Sequence, residues 1–119
     1  MNNSIKKQPA FLQHVLNDIL SGIKGISHRA MFGGYGIYKD EIIFAIISDD
    51  KLYFKVDDSN RVDYEKHGSK PFVYSQGKHK ATTMSYWELP SKILNNKKEL
   101  PSWIQASYKI NKQRKKLGS

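Results

Sequence analysis

The stretch Met31-Phe32-Gly33-Gly34-Tyr35-Gly36-Ile37-Tyr38-Lys39-Asp40-Glu41-Ile42-Ile43-Phe44-Ala45-Ile46-Ile47-Ser48-Asp49-Asp50-Lys51-Leu52-Tyr53-Phe54-Lys55-Val56 decides the fold. Three runs rich in Ile, Tyr and Phe are parted by two charged breaks, Lys39-Asp40-Glu41 and Ser48-Asp49-Asp50-Lys51. β-branched and aromatic runs bounded by Asp, Lys and Ser read as strands joined by hairpins. The stretch therefore predicts a three-strand antiparallel meander. Its middle strand, Ile42 to Ile47, is apolar on both faces and is expected to be central or covered on both sides. The third alternates, with Leu52, Phe54 and Val56 on one face and Tyr53 and Lys55 on the other.

Gly33, Gly34 and Gly36 open the first strand of the meander. A glycine loop can cradle phosphate, but this spacing fits neither the dinucleotide fingerprint nor the phosphate-binding lysine loop, and no helical pattern follows it. The preferred reading is a bulge or positive-φ turn where backbone passes close to backbone.

Upstream, Pro9 suits a first helical position. Leu12, Val15, Leu16, Ile19 and Leu20 recur at the spacing of an amphipathic helix, which is expected to end at Gly22 as a C′ residue and to cover the meander. Ile26 to Met31 reads as a weak strand or an extended lead-in, with Arg29 as an exposed edge residue or an anion contact.

Downstream, Asp57-Asp58-Ser59-Asn60 offers N-caps for a short helix from Arg61 to His67, anchored by Val62 and stopped by Gly68. Pro71 to Tyr74 and Thr82 to Trp87 read as two further strands with Phe72, Tyr74, Met84, Tyr86 and Leu89 inward. Between them, Lys78 and Lys80 sit at a loop tip that is either a solvated turn or a contact to a phosphate backbone. Pro90 starts a short helix through Leu94. Asn96 and Glu99 have the form of a capping box, although the following helix is also compatible with a start at Pro101. Leu100, Trp103, Ile104 and Tyr108 give that helix an apolar stripe. Lys109, Lys112, Arg114, Lys115 and Lys116 follow it. The sum is an α+β fold: an antiparallel sheet of about five strands, three-strand meander plus hairpin, with flanking N- and C-terminal helices.

At 119 residues, one domain spanning 1–119 is expected, with a basic C-terminal segment at 109–119. There is no cysteine, which excludes a disulfide scaffold, a zinc ribbon and a thiol nucleophile. No run approaches a membrane span or a secretory signal, so a cytoplasmic protein with no membrane partner is expected. Of the net charge of +9, all falls in residues 61–119; the first sixty residues balance. Such asymmetry fits an anionic partner or solubility alone.

His14, His28, His67 and His79 lie in four different elements with no metal-ligand spacing. Ser48, Ser75, Thr82 and Ser85 lack the glycine-flanked elbow of an activated nucleophile. The glutamates are scattered. No catalytic residue, metal or cofactor is assigned, and no enzyme is expected.

Met31 to Tyr38, then Leu52-Tyr53-Phe54-Lys55-Val56-Asp57, Lys70-Pro71-Phe72 and Met84-Ser85-Tyr86-Trp87-Glu88-Leu89-Pro90 together closely resemble the N-terminal domain of the TfoX (Sxy-like) family, from about Phe11 to about Tyr108. The resemblance implies the same α+β fold. It also implies a regulator of competence for DNA transformation, acting on transcription through protein contacts beside the cyclic-AMP receptor protein, not an enzyme. Longer members carry a second, helical domain, for which this chain is expected to have no room. The motif residues Met31, Phe32, Gly33, Gly34, Tyr35 and Gly36 look structural in this light. The rival expectation is direct, non-specific nucleic-acid binding through Lys109, Lys112, Arg114, Lys115, Lys116, Lys78 and Lys80. A small enzyme is the outsider. Edge strands and exposed aromatics such as Tyr38 and Tyr53 leave a homodimer open.

Overall fold

The computed structural model describes residues 9–31, 33–74 and 82–118, with the backbone alone for 82 and 116–118. Six strands form one antiparallel sheet: β1 (Ile26–Met31), β2 (Gly34–Lys39), β3 (Ile42–Ser48), β4 (Lys51–Lys55), β5 (Pro71–Tyr74) and β6 (Thr82–Glu88). Their order across the sheet is β1-β2-β3-β4-β6-β5. The helices are α1 (Ala10–His14), which runs on as a π-helical turn (Val15–Ile19), then α2 (Arg61–Lys66), α3 (Ser91–Leu94) and α4 (Leu100–Gly118). The α+β class holds, but the sheet has six strands where about five were expected. The extra one is β1, which pairs along its whole length from Ile26 with Lys39 to Met31 with Gly34. The meander thus has four strands.

The two charged breaks are two-residue hairpin loops. Asp40 and Glu41 have φ of 49° and 70°, and Asp49 and Asp50 of 54° and 58°. Positive φ at both central residues is the turn whose twist matches paired strands. In β3 and β2 the register slips after Ile37 with Ala45, so that Tyr38 faces Ile43 and Phe44 is the extra residue. This bulge puts Phe44 and Ala45 together against the helices, both fully buried.

One sheet face carries the main core. Ile37, Phe44, Ile47, Leu52 and Phe54 meet Leu12, Val15 and Ile19 from the N-terminal helix and Leu100, Ile104 and Tyr108 from α4. Burial of each such side chain stabilises by roughly 1.5–3 kcal/mol. The amphipathic stripe read at 12–20 is therefore the covering layer it was expected to be. Its end differs: Leu20 N–H reaches the Val15 carbonyl at 2.8 Å, widening the turn, and Gly22 has no positive φ, whereas Gly25 does.

In α2 the anchor is Tyr64, not Val62. Val62 is 55% exposed, while Tyr64 is 1% exposed, with its ring 4.8 Å from that of Trp103. Gly68, at φ 72°, stops this helix. Its N–H and that of Ser69 bond the carbonyls of Glu65 and Tyr64, the paired closure of a left-handed C′ residue. Ahead of α4 the Asn96 side chain accepts from the N–H groups of Lys98 and Glu99 and donates to the Glu99 carboxylate. The helix then starts at Leu100, with Pro101 in its first turn. Among the described residues no helix is long and apolar enough to cross a membrane.

Candidate functional site

The second face of the sheet carries a smaller cluster. Ile46, Phe72 and Tyr86 are buried there, with Met31, Ile43, Tyr53, Tyr74 and Met84 partly exposed around them. The Tyr53 and Phe72 rings lie 4.9 Å apart and the Phe72 and Tyr74 rings 6.4 Å apart. Across the sheet, the Arg29 guanidinium sits 5.0 Å from the Tyr38 ring centroid. Both residues alternate to this face with Gly36 and Ile43.

Where the β3–β4 ladder ends, at Ala45 with Phe54, the strands part in a notch and leave two carbonyls for side chains of α4. Ser107 Oγ donates to the Lys55 carbonyl at 2.8 Å, and Asn111 Nδ2 donates to the Ile43 carbonyl at 3.0 Å. The Lys55 carbonyl also accepts from Asn60 Nδ2 at 3.1 Å. Buried carbonyls need such partners.

Lys55 itself is 8% exposed. Its ammonium donates to Ser85 Oγ at 2.5 Å and lies 5.2 Å from the Tyr86 ring centroid. Burial pushes its pKa down, the like charge of Arg114 pushes it further, and Asp57 opposes them. Ser85 is exposed. A lysine whose pKa is lowered by burial, beside a hydroxyl, is the pairing that serine–lysine nucleophiles use; such a site also needs a pair of donors for an oxyanion.

The sequence-predicted cations fall into two sets. Lys109, Lys112, Arg114 and Lys115 are all exposed on α4. Lys109 and Lys112 share one side of the helix by their spacing. Lys112 Nζ is 5.5 Å from the Tyr108 ring centroid, and Lys39 Nζ is 4.8 Å from the same ring. Arg114 lies three residues beyond Asn111 and so follows the notch. Lys116 continues the helical backbone, but its side chain lies outside the described residues, as do Lys78, Lys80 and Phe32.

The remaining motif residues shape β2. Gly33 has φ 74°. A Cβ on Gly34 would lie 1.9 Å from the Ile47 carbonyl oxygen, and one on Gly36 would lie 2.5 Å from Met31 Sδ. The Tyr35 ring stands 6.0 Å from that of His28, edge to face.

Among the described residues, His14, His28 and His67 do not gather; His79 lies outside them. His14 Nδ1 pairs with Asp18 Oδ2 at 2.8 Å on the exposed side of the first helix. His67 Nδ1 is 2.9 Å from the Asp63 carbonyl oxygen. Among the described residues no group of three His, Cys, Asp or Glu could hold a metal. Sequence reasoning missed the Lys55–Ser85 contact. Its partners stand thirty residues apart in the chain, and the one local signal was a lysine amid aromatics on an alternating strand.

An open antiparallel sheet backed by helices on one face, with a partly exposed aromatic second face, defines an α+β domain of the kind the sequence motifs resemble. The model of the TfoX N-terminal domain matches residues 18–110. The chain belongs to that family. No curated protein matches it.

Proposed function

We propose that this chain is a non-enzymatic regulatory domain that works by surface contact with the transcription machinery, as a co-regulator linked to competence for DNA transformation. The family supplies the regulatory role, and the cyclic-AMP receptor protein is the partner the family suggests. The observation that carries the reading is the second sheet face. Met31, Ile43, Tyr53, Tyr74 and Met84 remain partly exposed there, and aromatic and methionine side chains are favoured at protein interfaces. The test is a pull-down with the intact chain and with Tyr38→Asp, which puts a charge on that face. The intact chain is expected to recover RNA polymerase or the cyclic-AMP receptor protein, and the variant to recover less. Recovery of no transcription component by the intact chain overturns the reading.

A second reading rests on α4. Four exposed cations in its last turns suit a duplex phosphate backbone, which gives affinity without sequence choice. If these and Lys116 all touched phosphates, log affinity would fall with log salt at a slope of about −4.5. The probe is Lys109→Ala with Lys112→Ala. Truncation after Tyr108 is unsuitable, because Ile110 is buried and Asn111 holds β3. Equal duplex affinity of the double variant and the intact chain at low salt removes Lys109 and Lys112 from this reading.

A further inference from the structure

The notch between β3, β4 and β6 holds more positive charge than it neutralises. Lys55 is buried, and its hydrogen-bond partner is the neutral Ser85 hydroxyl. Ser107, Asn111 and Arg114 follow one another at spacings of four and three along α4, the spacing of one helix face. Ser107 and Asn111 touch the notch directly, and Arg114 is close enough to act on both Lys55 and Tyr86. Among the described residues no carboxylate lies within 4.0 Å of either cation. Asp57 is the acid that Lys55 senses, and it is turned to the Ser59 N–H and hydroxyl. A buried cation without an anion is costly, and an arriving oxyanion removes the cost.

We propose that this notch is a binding site for a phosphate group, held by the Lys55 ammonium, the Arg114 guanidinium and the Ser85 hydroxyl. The hydroxyl accepts from Lys55, which leaves its own proton for a phosphate oxygen. Lys55 acts as a point charge and Arg114 as a planar fork, the two usual ways to hold phosphate. Ser85 is exposed, so a ligand can reach the group from solvent. A dianion balances both cations, which a single carboxylate does not. On the same sheet face Tyr53 stands two residues before Lys55 on β4, its ring 4.9 Å from that of Phe72 and tilted 52° to it. A nucleotide whose phosphate enters the notch would therefore find an aromatic platform beside it. The site does not depend on the regulatory reading, nor on Lys109 and Lys112.

The test is amide chemical-shift titration of the isotope-labelled full chain with inorganic phosphate, thymidine monophosphate and oligothymidylate, each against chloride at equal ionic strength. Saturable shifts at Ser85, Tyr86 and Arg114 are expected with inorganic phosphate. Tighter binding of the monophosphate, with added shifts at Tyr53 and Phe72, assigns the natural source to a nucleotide; tighter binding of the oligomer with the same shifts assigns it to a single strand. Arg114→Gln and Lys55→Met are each expected to weaken binding roughly tenfold or more. Arg114 is exposed, so its variant tests the site without risking the fold, and an unchanged melting temperature verifies this. No saturable shift at Ser85, shifts confined to Lys109 and Lys112, or unchanged affinity in Arg114→Gln overturns the proposal.

Discussion

The Asn111 side-chain amide donates to the Ile43 carbonyl at 3.0 Å across sixty-eight residues of chain. The bond exists because the sheet fails there. The bulge at Phe44 and the end of the β3–β4 ladder leave the Ile43 carbonyl with no strand partner on that side. Ser107 does the same for Lys55 one turn earlier. Asn111→Leu is expected to destabilise by about 1–3 kcal/mol, because it orphans a carbonyl. Ser107→Ala is expected to cost about 1 kcal/mol, since Asn60 still serves the Lys55 carbonyl. Urea unfolding measures both, and an Asn111→Leu no weaker than Ser107→Ala contradicts this account of the notch.

Tyr64 is the anchor of α2, yet among the described residues its buried hydroxyl makes no hydrogen bond. Burial pushes its pKa strongly upward, an effect that the nearby Ser107 hydroxyl, itself donated to the Lys55 carbonyl, only partly offsets. Tyr64→Phe keeps the ring against Trp103 and removes the orphaned group. It is expected to raise stability by about 1 kcal/mol. A loss of stability would mean that the hydroxyl has a partner in solution.

These two residues show what the sequence carries and what it does not. The limits of β3, β4, β5 and β6 were readable to within a residue because alternation and turn residues are local signals. β1 was ambiguous because Ser27, His28 and Arg29 are polar, as an edge strand tolerates. Val62 was misread as the anchor of α2 because an aliphatic outranks a tyrosine in a pattern, while the pocket between Trp87 and Trp103 fits a ring. No residue type at 15–19 announced the π-turn after His14. The notch is the least legible part. It joins Ile43, Lys55, Ser85 and Asn111 from four elements, and no spacing announces that.

Gly34 and Gly33 are adjacent but differently constrained, and the difference is measurable. A methyl on Gly34 meets the Ile47 carbonyl oxygen at 1.9 Å, a backbone atom that cannot turn aside. Gly34→Ala is expected to cost about 3 kcal/mol or more. Gly33 has open space around it, with φ 74°. Gly33→Ala is expected to cost only about 1–2 kcal/mol, for the left-handed backbone. Equal losses in urea unfolding would contradict the β2–β3 close approach.

Lys55 offers a prediction about pH whose sign can be worked out. Its folded pKa lies below the ordinary lysine value of about 10.4, first because it is buried and then because Arg114 is near. Below that lowered value both states are protonated, and the folded chain bears the full cost of a buried charge. Between the lowered value and about 10.4 the unfolded chain holds more protons, so stability rises with pH. Tyr53, Tyr64 and Tyr86 act oppositely. Burial raises each of their pKa values, so above about 10 the unfolded chain loses protons first and stability falls. Lys55→Met keeps most of the stem and deletes the charge. In phosphate-free buffer it is expected to be about 1 kcal/mol more stable than the natural chain at neutral pH. That advantage should shrink as pH rises toward about 10, while the tyrosine-driven fall remains in both. Thermal or urea unfolding across the alkaline range measures the difference directly. A Lys55→Met chain that is less stable at neutral pH, with a gap independent of pH, would mean that the ammonium is already neutralised by the fold, and the notch would have no charge left to offer a ligand.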